Sequence, residues 1–560
     1  MTNNVLAAEI LQNIASGLVN RTLTSCSRWS EHRRVIPDPR TREPKMYSTK
    51  YHPWVREMMN STAPFNYSMK GAQLGVTEVA INRALYTIDK LRRDVLYVLP
   101  TTGIARDFSR TRFKTAIDYS PHLKSIFTDT DTIDLKQAGN TTLYIRGSRG
   151  ESNLVSIPAS VLILDEVDRM DQDKVPLALE RLSGQFEKEM WGISTPTLPN
   201  FGIHKLFQKS TQEHYYFPCP SCSRFTKLIW PDCVEICGDS VSDPRCAESF
   251  LKCKECKAKL PHEAKMQWLE PAKWIVENHE VDPQFRGFHI NQLYSLTVTP
   301  GELVVAYFRG FGDELSDKEF HNSKLGLPFI GDGAKIDPEM IGRCITSHSK
   351  DDARPEYANR LITMGVDQGK WSYVTVVEWE IGDVGPQLNT KAQGKVLWEG
   401  KFFESDWHRL DELMAEWQVM GCVIDADPET NQAREFARRF RGYVHLCRYR
   451  RGQVLREISL TDTDDDAPIA TVDRSNWLSA SLGRFKTKPP RILLPHDVSE
   501  EFKDHLQNIV ATYERDDLGN PKLTYVSTGP DHFAHSLNYA EIALPLAVST
   551  QENRDLQGLT

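Results

Sequence analysis

No apolar run in this 560-residue chain approaches the roughly 20 residues that a membrane-spanning helix requires, which excludes an α-helical membrane protein. Positive charge is in deficit. The chain has 68 Lys and Arg against 76 Asp and Glu, a formal net charge of −8, so no global field gathers nucleic acid and any such contact must use local patches. No internal repeat is visible, which argues against a solenoid. The opening MTNNVLAAEILQNIASGL has no basic leader and carries Glu9 among its apolar residues; it reads as a partner-docking helix and not as a signal peptide. The 11 cysteines are odd in number, and Cys26, Cys344, Cys422 and Cys447 stand isolated, which fits a reducing compartment and excludes a disulfide scaffold. The length exceeds a single core, so two or three domains are expected.

What is present falls into blocks. Residues 1–50 are mixed. Residues 60–200 alternate short β-branched runs (VLYVLP, TTLYIRG, VLILDE, MWGIST) with helical stretches, the pattern of a parallel sheet with crossover helices. Residues 215–260 are cysteine-rich and interrupt it. Residues 331–358 are polar and Gly/Pro-containing and read as a linker. A second alternating region spans 359–547, with an acidic loop at 462–468, and 548–560 form a polar tail. The domain reading is therefore 1–50, 51–330 with an insertion at about 215–260, and 359–547.

The stretch YSMKGAQLGVTE, Tyr67 to Glu78, nearly spells a phosphate-binding loop. Gly75 and Thr77 sit correctly, but Val76 fills the lysine slot and Lys70 stands where the first glycine belongs. Backbone N–H groups along Gly71, Ala72, Gln73, Gly75, Val76 and Thr77 can cradle phosphates whatever the side chain at 76. The cradle then needs one cation, and Lys70 can supply it from the other rim. Downstream, ASVLILDEVDRM runs four apolar residues into Asp165 and Glu166. Two carboxylates closing a buried strand suit a magnesium-holding acid (Asp165, with the Thr77 hydroxyl) and a water-polarising one (Glu166). VLYVLPTT (Val95 to Thr102) is a further strand closing on Pro-Thr, and WGISTPT ends on Ser194, Thr195 and Pro196, placed to sense a γ-phosphate.

Two Cys-x-x-Cys pairs, Cys219/Cys222 and Cys253/Cys256, lie 30 residues apart. Such pairs read as one tetrahedral structural Zn²⁺ site, although the spacer exceeds the usual roughly 15–20 residues. Cys233, Cys237 and Cys246 lie inside the spacer and are the competing thiols.

In the second half, LITMGVDQG places Asp367 at a Gly-flanked turn after a strand. MGCVIDADPETNQAREFARRF runs a strand into Asp425 and Asp427 before a helix. GPDHFAHSLNYAEIALPLA puts Asp531 at the mouth of an apolar helix. An acid on the first strand, one after the fourth and one at the last helix is the order of an RNase H-like fold, whose carboxylates hold two divalent ions (Mg²⁺ or Mn²⁺) for phosphodiester cleavage. Asp425 and Asp427 both remain candidates for the second acid. His532 and His535 are possible assistants. Arg-rich stretches at 438–443, 447–452 and 483–491 are candidate phosphate contacts.

The early-lysine loop MKGAQLGVTE, then LDEVDRM, then STPT, then the cysteine pairs, resemble in this order the large terminase subunits of tailed double-stranded DNA phages, in particular the lambda-like, GpA-type branch. The resemblance covers about residues 40 to 545. It implies an α/β chain: an N-terminal P-loop (RecA/ASCE-like) ATPase with a zinc-ribbon insertion, followed by an RNase H-like nuclease. It further implies ATP with Mg²⁺ as cofactor, ATP-driven translocation of double-stranded DNA, and cleavage of concatemers. The implied partners are the portal protein, a small terminase subunit meeting the N-terminal segment, and further copies in a ring, in the host cytoplasm with no membrane. Among residues, it favours Asp425 over Asp427, suggests Arg149 in RGSRGES as arginine finger with Arg146 as the spare, and points to Tyr51, Pro53 and Trp54 as bracketing adenine. The competing readings are a repair- or restriction-type helicase–nuclease, which needs a second RecA-like lobe, and a non-enzymatic zinc-stabilised DNA-binding or portal adaptor.

Overall fold

The computed structural model describes residues 23–38, 41, 43–128, 132–148, 157, 159–172, 174–331, 333–352, 361–381, 392–450, 458–461, 467–515 and 521–556. The docking helix expected near the N-terminus, the body of the acidic loop and the end of the polar tail lie outside them. The chain divides into two compact units, 1–329 and 330–560.

The first unit is built on strands β1 (Phe65–Lys70), β2 (Val95–Leu99), β3 (Thr141–Gly147), β4 (Val161–Asp165), β5 (Glu189–Ser194), β6 (Glu213–Pro218) and β7 (Phe285–Ile290). They run parallel in the order β6–β7–β1–β5–β4–β2–β3, with short antiparallel strands at both margins. Every residue of β2, β4 and β5 is buried, as expected of strands covered on both faces; β3, near the edge, alternates instead. The four runs singled out by their composition are β2 to β5. The sheet extends further than the 60–200 block, because β6 and β7 come from beyond it and β7 pairs with β1. The cysteine-rich segment therefore lies between two strands of one sheet.

Helix α1 (Val76–Tyr86) follows β1 and buries Val79, Ala80, Ala84 and Leu85. A charge pair locks it to β5: Arg83 Nε and Nη2 donate to Glu189 Oε1 and Oε2, both at 2.6 Å, with both side chains buried. Trp191 Nε1 donates to the same carboxylate at 2.5 Å.

The second unit opens with α2 (Pro338–Cys344). The linker expected at 331–358 is thus largely part of the unit: Ile336, Ile341 and Cys344 are core residues, and Lys335 and Ile345 make β-bridges to Val510 and Leu494. Its Gly/Pro content is helix punctuation, with Asp337 capping the helix and Pro338 at its first turn. Strands β8 (Leu361–Asp367), β9 (Trp371–Glu380), β10 (Gln393–Phe403), β11 (Gly421–Asp425), β12 (Val444–Tyr449) and β13 (Ile469–Val472) follow, with α3 (Thr430–Arg439) after β11. The sheet order is β13–β12–β11–β8–β9–β10, with β8, β9 and β10 antiparallel and β11, β12 and β13 joined in parallel beside β8. That is an RNase H-like core, not a second RecA-like lobe.

Of the later helices, two bear on the site, α4 (Arg474–Lys486) and α5 (His532–Leu556). Helix α5 lies hard on β8: a Cβ on Gly365 would stand 1.9 Å from Ser536 O and 2.3 Å from Ala540 N. Only glycine permits that approach. Thr363 Oγ1 donates to Ala540 O at 2.8 Å, and Thr375 Oγ1 meets Ser536 Oγ at 2.6 Å. Arg484 grips Glu541 at 2.6 and 2.7 Å, which takes the first arginine of the 483–491 stretch out of the set available to DNA.

Replacing Glu189 by Ala strands the buried Arg83 cation. The expected cost is about 3–5 kcal/mol, read by urea denaturation followed by circular dichroism.

Candidate nucleotide, metal and nuclease sites

The turn at 71–75 carries β1 into α1 at the carboxyl ends of the parallel strands. Gly75 has φ +76°, and a Cβ there would come within 3.2 Å of the His52 ring. Gln73 is also left-handed, with φ 57°. The turn is propped from the protein side: Trp54 Nε1 donates to Leu74 O at 2.8 Å and Gln292 Nε2 to Ala72 O at 2.9 Å. The amide cradle is shorter than the sequence suggests. Gly71 N–H donates to Ile290 O at 2.8 Å and Ala72 N–H to Ser323 O at 2.7 Å, so these two amides are committed to the protein. The approach there is close: a Cβ on Gly71 would meet Lys324 O at 2.9 Å. Amides from Gln73 to Thr77 remain at the helix mouth. Val76 is buried in the core, and Thr77 is half-buried in the first turn of α1.

Lys70 ends β1 with its side chain 8% exposed, and its Nζ donates to Glu166 Oε1 and to Thr195 Oγ1, each at 3.2 Å. The sheet order makes this convergence possible, because β5 lies between β1 and β4. Asp165 ends β4 in the interior. Tyr97 on β2 donates its hydroxyl to Asp165 Oδ2 at 2.6 Å, while Oδ1 is buried with no hydrogen-bond partner. Burial, then the adjacent Glu166 carboxylate, push Asp165 up to about 6. Glu166 is left-handed at φ 66°, a strained geometry for a non-glycine residue; its N–H donates to Ile193 O at 2.8 Å. An unpartnered buried carboxylate oxygen beside a lysine and a helix mouth suits a magnesium–nucleotide.

Asp168, in the same LDEVDRM stretch, carries a role that sequence reasoning missed. Its Oδ2 accepts from Thr197 N at 2.7 Å and Thr197 Oγ1 at 2.8 Å, its Oδ1 accepts from Ile203 N at 2.7 Å, and its own N–H donates to Ser194 Oγ at 3.2 Å. Burial raises it to about 6. It ties the acid-bearing segment to STPT, and spacing alone carries no signal for that. Two other expectations change. Trp54 is fully buried beneath the turn, with its ring edge-on to Tyr215 and Tyr294, so it supports the loop and offers no face to adenine; Tyr51 is exposed. Arg146 donates to Asp134 O and to Ile145 O, and Arg149 lies outside the described residues.

The sulfurs of Cys219, Cys222, Cys253 and Cys256 lie within 4.8 Å of one another, the one such group among the described residues. Each pair sits in the same turn: Ser223 N–H donates to Cys219 O and Lys257 N–H to Cys253 O, and Ser223 and Lys257 are left-handed at φ 59° and 61°. Cys219 N–H donates to Arg224 O and Cys253 N–H to Ala258 O, both at 2.9 Å. Cys219 Sγ stands 3.8 Å from Cys256 Sγ, equal to the edge of about 3.8 Å of a tetrahedron with Zn–S of about 2.3 Å. Of the spacer thiols, Cys233 and Cys246 face the carbonyls of Lys227 and Ser240 instead.

In the second unit Asp367 and Asp425 end the adjacent parallel strands β8 and β11, and Gln368 Nε2 donates to Asp425 O at 2.7 Å. Burial, then the Asp367 carboxylate, push Asp425 up to about 6. Asp427 is exposed; it accepts from Thr430 Oγ1 at 3.1 Å and pairs with Arg448 at 3.6 Å. Asp531 stands just before α5. Its Oδ2 accepts from Ser527 Oγ and pairs with His535 Nε2 at 3.3 Å, and these partners outweigh burial and hold it at about 2. The three aspartates are not gathered as closely as the cysteines. His532 is what reaches Asp367, through Nδ1 at 2.8 Å, with its ring stacked on Tyr373 at 4.6 Å.

Residues 41–274 match the family model "Phage terminase large subunit gpA, ATPase domain", and residues 285–528 match "Terminase large subunit gpA, endonuclease domain". No curated protein matches the chain. Among solved structures, the chain is similar to the HK97 bacteriophage large terminase at 11% identity, with 92% of this chain and 98% of that one covered and a TM-score of 0.46. It is also similar to the Thermus phage P74-26 large terminase ATPase domain (13% identity, 50% and 94% covered, TM-score 0.31) and to the magnesium-bound large terminase nuclease of thermophilic phage G20c (16%, 36% and 94%, TM-score 0.23). Two matched models in series, an ATPase followed by an endonuclease, span nearly all of both units, and the chain belongs to the gpA-type phage terminase large subunits, the enzymes that package and cut phage DNA.

Proposed function

We propose that Lys70, Glu166 and Thr195 form the working centre of the ATPase, with Asp165 and Thr77 holding magnesium and Gln73 to Thr77 presenting amides to the phosphates. The observation that carries this is the single ammonium bonded to both Glu166 and Thr195. Magnesium, when bound, supplies positive charge at the phosphate oxygens in the motor and at the scissile phosphate in the nuclease. Lys70 neutralises the β/γ oxygens from the strand side of the turn. Glu166 accepts the proton of the attacking water. Thr195 senses whether the γ-phosphate is present, and Asp168 passes its movement to the 202–208 helix. Arg149 is the candidate arginine finger.

In the second unit Asp367 and Asp425 hold the cleavage ions, and Asp531 joins them from the mouth of α5. Asp427 caps α3. The four cysteines hold a structural Zn²⁺ that stabilises a segment with little core of its own. The motor works on double-stranded DNA in the host cytoplasm, as a ring of copies on the portal protein. Residues 1–50 meet a small terminase subunit, and 51–330 and 359–547 are the ATPase and nuclease domains.

Lys70→Ala or Glu166→Ala is expected to cut ATP hydrolysis by about a hundredfold or more, measured as phosphate release; hydrolysis at the wild-type rate refutes the assignment. Asp367→Ala and Asp425→Asn should each abolish Mn²⁺-dependent plasmid cutting and leave ATPase intact, whereas Asp427→Asn cuts normally. Purified protein should carry about one zinc per chain by atomic absorption, and Cys219→Ser should lose it.

A further inference from the structure

We propose that Tyr97 is a positioning residue for the magnesium-holding carboxylate: its hydroxyl, bonded to Asp165 Oδ2, turns Asp165 so that Oδ1 alone is presented to the metal. The proposal rests on the reading of Asp165 as the magnesium residue.

Tyr97 lies at the centre of β2, the strand beside β4, and is fully buried. A buried phenol must find a partner, and here the partner is a carboxylate at 2.6 Å. A short bond from a neutral donor to a carboxylate is strong and directional. The ring that carries it cannot drift: Phe108 stacks on it at 5.3 Å, and Phe113 meets it edge-on at 5.2 Å. The two carboxylate oxygens therefore have different fates. Oδ2 is spoken for, whereas Oδ1 is buried with no hydrogen-bond partner, an arrangement a protein keeps when a ligand completes it. Partners that orient a metal-binding carboxylate in this way govern affinity for the metal as well as the rate. A phenylalanine would fill the same apolar space, so packing alone does not call for the hydroxyl.

The test measures by electron paramagnetic resonance, without turnover, the Mn²⁺ that ADP adds to the full-length protein in an Asp367→Ala, Asp425→Asn background, which takes the nuclease ions out of the reading. Tyr97→Phe, which keeps the ring, should weaken Mn²⁺ binding by about tenfold or more, leave metal-free ADP binding near wild type, and lower the melting temperature by only a few degrees for the lost buried hydrogen bond. Asp165→Asn should weaken it at least as much, and the double variant should lose nothing further. Phe113→Leu, which loosens the ring without touching the hydroxyl, should lower the melting temperature more than the Mn²⁺ affinity. Wild-type Mn²⁺ affinity in Tyr97→Phe, with loss in Asp165→Asn, overturns the proposal and spares the magnesium reading. Wild-type affinity in Asp165→Asn as well overturns both. If Tyr97→Phe is insoluble, 3-fluorotyrosine placed at position 97 alone carries the same test: its more acidic hydroxyl changes Mn²⁺ affinity if the bond orients Asp165, and an unchanged affinity refutes the role.

Discussion

The buried ammonium of Lys70 organises the rim of the first unit's sheet. Lys70 Nζ joins the end of β1 to Glu166 after β4 and to Thr195 after β5, three segments separated by 96 and 125 residues in the chain. A buried lysine is tolerable only when its charge is answered. Glu166 answers it at the cost of a left-handed backbone, and Asp165, packed beside it, is left with a raised affinity for protons. The strand order enforces the meeting, since β5 separates β1 from β4 and brings all three strand ends to one rim. Around this centre the remaining devices are supports: Arg83 against Glu189 fixes the helix to the sheet, Trp54 props the turn, and Asp168 binds the acid-bearing segment to STPT.

The second unit uses the opposite strategy. Two aspartates end neighbouring strands, and burial and the Asp367 carboxylate raise the proton affinity of Asp425. What brings the third acid's helix alongside is the absence of a side chain. Gly365 lets α5 touch β8, and the hydroxyls of Thr363, Thr375 and Ser536 satisfy the backbone and each other at that contact. The cysteine-rich segment solves a third problem. It brings four sulfurs together in two matching turns, each turn built on a left-handed residue after the second cysteine.

Much of this was legible in the residues. The β-branched runs announced β2 to β5, because strands covered on both faces must be apolar throughout. The paired cysteines announced their own cluster, since tetrahedral thiolate sites need that short spacing. Lys70, Asp165 and Glu166 were legible because a carboxylate or an amine at the end of a buried strand has few other reasons to be there. Strand β7 was not, because its apolar content is diluted by Arg286, Gly287 and His289 and it follows a long insertion. The 331–358 segment was misread because helix punctuation and linker composition use the same residues.

The sequence by itself determined which groups carry charge, which thiols come in pairs and where apolar strands end, since these follow from local chemistry and short spacing. Only the tertiary structure decided that Gly71 and Ala72 spend their amides on the protein, that Trp54 faces inward, that Tyr97 reaches Asp165 and that His532, not Asp531, touches Asp367. Each of those is a contact between residues far apart in the chain. Such contacts depend on strand order and on how closely backbones approach, and no local pattern encodes either.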